Sequence, residues 1–229
     1  MIFLGNFYGK IGYFNHIRSK YEAAEKYYLK MRKHKGNDAK CNAAYALILM
    51  RKGEFDQAIE VFNEARQMNP SQDMKNKIRL NRAIAYYKIG QLDRAIKALE
   101  DIHEKWGPME RVYETLGYLY IVEGDYEKAL KYNLEALDYE DSNYVILDNL
   151  GQSYMMLDQW DKARDYCEKA LELKNTQVDI LYHLALIEKH DGNREKALEF
   201  AQKASEAPRT ALNDVNEKML NQLINELTD

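Results

Sequence analysis

The stretch GDYEKALKYNLEAL, residues 124–137, follows a Gly-Asp turn with an unbroken run of helix formers. Near-copies stand at GEFDQAIEVFNEAR (53–66), GQLDRAIKALEDI (90–102), DQWDKARDYCEKAL (158–171) and GNREKALEFAQKAS (192–205). Aligned on the alanine after the acidic-basic pair, they give Ala58, Ala95, Ala129, Ala163 and Ala197, with Ala24 in YEAAEKYYLKM as a weaker, earlier member. The spacings are 34, 37, 34, 34 and 34 residues, a period that signals stacked supersecondary units. The irregular interval places three extra residues near Ser71 to Lys75, where a loop is expected to absorb them.

Two further sites recur in register. Twelve residues before each alanine stand Gly12, Ala46, Ala83, Gly117, Gly151 and Ala185; seven after it stand Met31, Ala65, Ile102, Ala136, Ala170 and Ala204. Small residues at repeated positions imply helices that cross at close range, within each hairpin and between neighbouring ones. Gly53, Gly90, Gly124 and Gly192 fall where a first helix must end in a left-handed residue. Three residues beyond each turn position comes an acid, Glu22, Asp56, Asp93, Glu127, Asp161 or Glu195, suited to the positive end of the second helix. Tyr21, Phe55, Leu92, Tyr126 and Trp160 supply a large wedge beside that acid, and Arg194 is the departure.

These spacings and residue types resemble the tetratricopeptide repeat family, and the resemblance covers residues 5 to about 209. It implies an all-α fold, a right-handed superhelix (solenoid) of helical hairpins with units at 5–38, 39–72, 76–109, 110–143, 144–177 and 178–209. Tyr86, Tyr120 and Tyr154 occupy the family's tyrosine site, and its terminal proline survives in register only as Pro70. Residues 210–229 follow as an amphipathic capping helix. Leu212, Val215, Met219, Leu223 and Leu227 form one stripe there, with Asn213 or Asp214 as candidate cap. This tail either covers the open face of the last repeat or serves self-association.

Composition agrees with helix and limits function. Of 229 residues, 46% are apolar, and there are three prolines and eleven glycines. The net charge of −4 divides unevenly, because residues 1–40 carry nine Lys or Arg against three Asp or Glu. A cluster such as Lys30, Arg32, Lys33 and Lys35 is either an anion-binding patch or a solvated helix end, and the overall acidity speaks against nucleic acid as partner. Two distant cysteines, Cys41 and Cys167, point to a reducing compartment, hence a cytoplasmic location. No apolar run reaches membrane-spanning length. The opening MIFLGNFYGKIGYF, apolar and followed by basic residues, resembles the cytoplasmic flank of a membrane anchor.

No catalytic constellation emerges, so an enzyme is not expected, nor a cofactor. The five histidines are scattered, His103–Glu104 lacks the second histidine of a zinc-protease helix, and no paired-cysteine spacing or phosphate loop exists. What the family resemblance leaves is a surface. In that family the first helix of each unit lines the concave face, which here places Lys40, Lys77, Asn81, Arg111, Glu114, Tyr118, Asp148, Asn149, Gln152 and Tyr182 in a candidate peptide-binding groove. Lys40, Lys77 and Arg111 hold equivalent sites in three successive units, a possible basic line for an acidic segment. The lysine-asparagine clamp of the chaperone-tail-binding branch is absent at its sites, which hold for example Ala43 and Leu47 or Glu114 and Tyr118. The expectation is a non-catalytic scaffold for a protein or peptide ligand, monomeric or weakly homo-oligomeric. The alternative is an assembly element that associates or is tethered through its ends.

Overall fold

Thirteen helices account for the ordered backbone in a computed structural model of the chain, which describes residues 2–228. By contact they divide into two units, Met1–Glu104 and Lys105–Asp229. The first holds α1 (Ile2–His16), α2 (Tyr21–Lys33), α3 (Ala39–Lys52), α4 (Phe55–Gln67), α5 (Gln72–Lys88) and most of α6 (Leu92–Trp106). The second holds α7 (Glu110–Glu123), α8 (Tyr126–Tyr139), α9 (Tyr144–Met156), α10 (Trp160–Leu173), α11 (Val178–His190), α12 (Arg194–Glu206) and α13 (Glu217–Thr228). In the C-terminal unit α7 packs on α8, α9 on α10 and α11 on α12; α8 packs on α9, α10 on α11 and α12 on α13; and α9 also meets α7 and α11. The N-terminal unit repeats the pattern, with α1 on α2 and α3, and α3 on α4 and α5. This is an all-α stack of helical hairpins.

The repeated small residues are the crossings. Ala24, Ala58, Ala95, Ala129, Ala163 and Ala197 are all 0% exposed, and the other two recurring sites are buried as well. A methyl added at Gly151 would lie 2.3 Å from Cys167 Sγ and 3.3 Å from the Ala163 carbonyl; one at Gly12 would lie 2.7 Å from the Tyr28 ring. The helices therefore approach as closely as a missing side chain permits. Between these contacts lie fully buried Phe62, Leu99 and Leu150, each contributing roughly 1.5–3 kcal/mol by leaving water, and the fully buried Tyr28 ring.

Turn chemistry follows the reading at the glycines and extends it. Gly53, Gly90, Gly124 and Gly192 adopt φ of 82°, 81°, 90° and 79°, and the Gly53 N–H closes α3 by donating to the carbonyls of Leu49 and Met50. At the two equivalent positions without glycine, Ser19 and Asp158 take the same left-handed conformation, φ 57° and 58°. Each expected acid stands in the first turn of its helix, from Glu22 in α2 to Glu195 in α12. The wedge side chains Tyr21, Phe55, Leu92, Tyr126 and Trp160 are half-buried, and Arg194 is exposed.

Two local expectations change. The three extra residues do not form a loop: α5 has 17 residues where α3 has 14, so the insertion adds helix at its N-terminus. Ser71 caps it by accepting the Met74 N–H at 3.3 Å, and SQDMKNK contains nothing that breaks a helix. The terminal helix begins at Glu217, capped by Asn216 accepting the Met219 N–H at 3.1 Å. Neither Asn213 nor Asp214 does this, because Asn213 is engaged upstream, accepting the Thr210 N–H at 2.9 Å. Leu220, Leu223 and Leu227 of α13 are buried against α11 and α12 side chains, and Arg194 Nε donates to the Leu227 carbonyl.

Candidate functional site

The first helices of the C-terminal unit meet through polar side chains. On α7, Arg111 Nε lies 3.2 Å from Glu114 Oε2, and Glu114 also accepts Asn143 Nδ2 at 2.8 Å. Asn143 is a hub: its amide nitrogen also donates to Glu110 Oε1 at 2.7 Å, while its oxygen caps α9 by accepting the Val145 and Ile146 N–H groups at 2.8 and 3.3 Å. From α9, Asn149 Nδ2 donates to the Glu114 carbonyl at 2.9 Å. Asp148 lies with Oδ1 2.8 Å from His183 Nδ1 on α11 and accepts Gln152 Nε2 on Oδ2 at 3.2 Å. Asp179, one turn before His183, accepts Asn213 Nδ2 at 3.2 Å and the Val215 N–H at 3.3 Å. Three successive first helices and the segment after α12 are thus joined by one polar seam.

Burial governs the electrostatics of this seam. It raises the Glu114 carboxyl above its ordinary range, against the pull of Asn143 and Arg111. Asp179 rises for the same reason, with the Asp148 charge adding to it. Burial alone would lower His183, but the charge and hydrogen bond of Asp148, with Asp179 behind them, outweigh it and raise the imidazole. A second seam joins the hairpins further along, where Arg164 on α10 reaches Glu188 at 2.6 Å and Asp191 at 2.8 Å. Burial works to raise Glu188, yet hydrogen bonds from Arg164 and Asn193 hold it low.

The residues expected in the groove divide accordingly. Asp148, Asn149 and also His183 are buried and spent on joining helices. Arg111 is exposed, Glu114, Tyr118 and Gln152 are half-buried, and Tyr182 is half-buried against the two apolar clusters that Leu220 and Leu223 of α13 help to form. In the N-terminal unit, Lys40 stands exposed with its ammonium 4.1 Å from the Tyr13 ring centre. Lys77 is exposed and pairs with Asp73 at 2.8 Å, and Asn81 turns back to donate to the Lys77 carbonyl at 2.8 Å. Asn143 was not among the expected site residues. Its signal was available, since it precedes α9 as Asp38 precedes α3, at the N-cap of a first helix.

Profiles described as tetratricopeptide repeat match residues 18–73 and 80–145, residues 49–105 and residues 145–176, together more than half of the chain. The chain belongs to the tetratricopeptide repeat family. A TPR repeat-containing protein of Methanocaldococcus jannaschii is 36% identical over 95 residues, 42% of this chain and 16% of that protein, so the matched part is about a sixth of the relative. Among solved structures, a tetratricopeptide repeat protein from Parabacteroides merdae superposes with a TM-score of 0.79 at 14% identity, covering 97% of this chain and 83% of that one. A chain of the APC/C hetero-tetramer Cut9-Hcn1 gives 0.76 at 18% identity over 97% and 42%. A thermophilic TPR protein of Thermus thermophilus gives 0.69 at 19% identity over 83% and 98%. At such identities the likeness is one of fold. The TPR fold commonly mediates protein–protein interaction. Among the described residues, no group of His, Cys, Asp or Glu is placed to hold a metal ion, and no helix is long and apolar enough to cross a membrane.

Both cysteines of this TPR protein are buried thiols. Burial, then the charge and hydrogen bond of Asp38, push Cys41 up to about 12, and burial raises Cys167 well above the ordinary thiol value. Protonated thiols are poor nucleophiles and poor ligands. They pack as small hydrophobes.

Proposed function

We propose that the protein is a non-catalytic interaction scaffold that holds an extended segment of a protein partner along the first helices of its C-terminal unit. The observation that supports this is the polar seam: Asp148–His183 and Asn149–Glu114 tie α7, α9 and α11 together, while Arg111, Tyr118 and Gln152 remain at the surface. Groups mounted on helices already locked to one another lose little freedom when a ligand arrives, which lowers the ordering cost of binding an extended peptide. Arg111 supplies a planar donor for a carboxylate, Tyr118 a flat amphipathic ring and Gln152 both a donor and an acceptor. Lys40, Lys77 and Asn81 offer comparable polar groups on α3 and α5 of the N-terminal unit.

Selection of a displayed random-peptide library on the full chain tests the reading. Peptides with an acidic residue beside an apolar one are expected, and Arg111→Glu or Tyr118→Ala should weaken the selected peptides by about tenfold or more. Selected peptides that bind both variants as tightly as the parent chain would place recognition elsewhere.

A further inference from the structure

Helix α1 shows the protein two unlike faces. Gly5, Gly9 and Gly12 are buried, Gly9 against Met31 and Cys41 and Gly12 against Tyr28. On the opposite side Phe3, Phe7 and Phe14 are 88%, 53% and 49% exposed. At 3.6 residues per turn these three rings fall within an arc of about 40°. Leu4 and Ile17 extend the apolar surface on either side. Lys10 lies on the same face between Phe7 and Phe14, the Arg18 guanidinium sits 3.8 Å over the Phe14 ring, and Lys20 is exposed just beyond. Residues 2–21 contain no Asp or Glu.

We propose that this face of α1 docks on an anionic lipid surface, with the three phenylalanines in the headgroup–acyl boundary and Lys10, Arg18 and Lys20 on lipid phosphates. Charge chooses the occupant. A second copy would bring an equally cationic, acid-free face against this one, and the like charges would oppose the contact. An anionic bilayer supplies the missing negative charge and an apolar layer together, and attraction of this kind accumulates with each Lys or Arg near the surface. Form agrees with charge. The rings stand out from a single convex helix, so the boundary of a fluid bilayer receives them without a matching cavity, while Lys and Arg stems reach outward to the headgroups. The glycine face of α1 is occupied by Met31, Tyr28 and Cys41 of α2 and α3, so only its other side can meet a bilayer and the helix lies along the surface.

Sedimentation of the full chain with sucrose-loaded vesicles decides the matter. The chain should bind phosphatidylglycerol vesicles, bind pure phosphatidylcholine far less, and be released as salt is raised to about 0.5 M. Phe3→Ser/Phe7→Ser/Phe14→Ser and, separately, Lys10→Glu/Arg18→Glu should each lower the partition by about tenfold or more. Leu134→Ser/Leu173→Ser, at exposed positions elsewhere, should not. Phe3, Phe7, Phe14, Lys10 and Arg18 are all exposed, so unchanged circular dichroism is expected of both variants. Failure of the parent chain to sediment with anionic vesicles overturns the proposal, as does undiminished binding by either α1 variant. So does light scattering that finds a dimer dispersed by the phenylalanine substitutions in a chain that ignores lipid.

Discussion

At Gly124 the backbone leaves α7 with φ of 90°, and a methyl added there would meet nothing within 4 Å. The glycine is required by conformation alone. Gly124→Ala should therefore cost about 1 kcal/mol, the penalty of left-handed backbone for a residue with a Cβ. Ser19 already bears that penalty, at φ 57°, in the same position of the first hairpin. Ser19→Gly should return about 0.5–1 kcal/mol, reduced by the greater freedom glycine has when unfolded. Urea unfolding midpoints measure both, and opposite signs are expected. An equal loss in the two variants would show that side-chain contacts decide these turns.

Hairpins carry a relation between residues that no single position reveals. Gly151 on α9 faces Cys167 on α10, and the equivalent pair one hairpin later is Ala185 and Ala201, both 0% exposed. The volume of the crossing is shared between the two helices. Gly151→Ala alone puts its methyl 2.3 Å from Cys167 Sγ and should destabilise by about 1–3 kcal/mol, because the helices must part. Gly151→Ala together with Cys167→Ala converts this crossing to the pair found in the next hairpin, and the double variant should recover most of the loss. Additive losses in a double-mutant cycle would mean that the two residues do not share the space.

Across the C-terminal unit, stability should follow pH through the seam that joins α7, α9, α11 and the segment leading to α13. His183 is raised, so its contribution is fully present below its unfolded value of about 6.5 and is lost as pH rises through the higher folded value. Asp179 and Glu114 are raised as well, and folding likewise loses their contribution as pH climbs through their folded values. Glu188 is lowered, so its contribution is present above its unfolded value of about 4.3 and lost on acidification through the folded one. Thermal unfolding should accordingly show the His183 contribution intact in mildly acidic solution and declining as pH rises above about 6.5. His183→Gln should flatten that decline and lower stability at pH about 6, since Asp148 then stays buried without its cation. A decline of the same slope in that variant would assign it to other groups.

Much of this architecture is local, and local features are legible in order along the chain. Helices announce themselves through spacing, turns through glycine, crossings through alanine, and each needs only neighbours within one or two repeats, so a period of 34 residues suffices to state the hairpins. Even the misplaced insertion at Ser71 was visible as three residues; whether they became loop or helix depended on a cap and a favourable run of residues. The polar side chains of the first helices are different. Arg111 and Asp148 read alike as polar residues on first helices, yet one is exposed and the other is 6% exposed beside His183. That division, the hub at Asn143 and the engagement of Asp179 by Asn213 depend on which atoms lie within hydrogen-bonding distance after the hairpins have stacked, at separations near 35 residues. The repeating helices and their close approaches are thus written in local spacing, because each involves residues within one or two repeats; which polar groups join helices and which stay at the surface is settled only when the hairpins stack, because stacking pairs side chains distant in sequence.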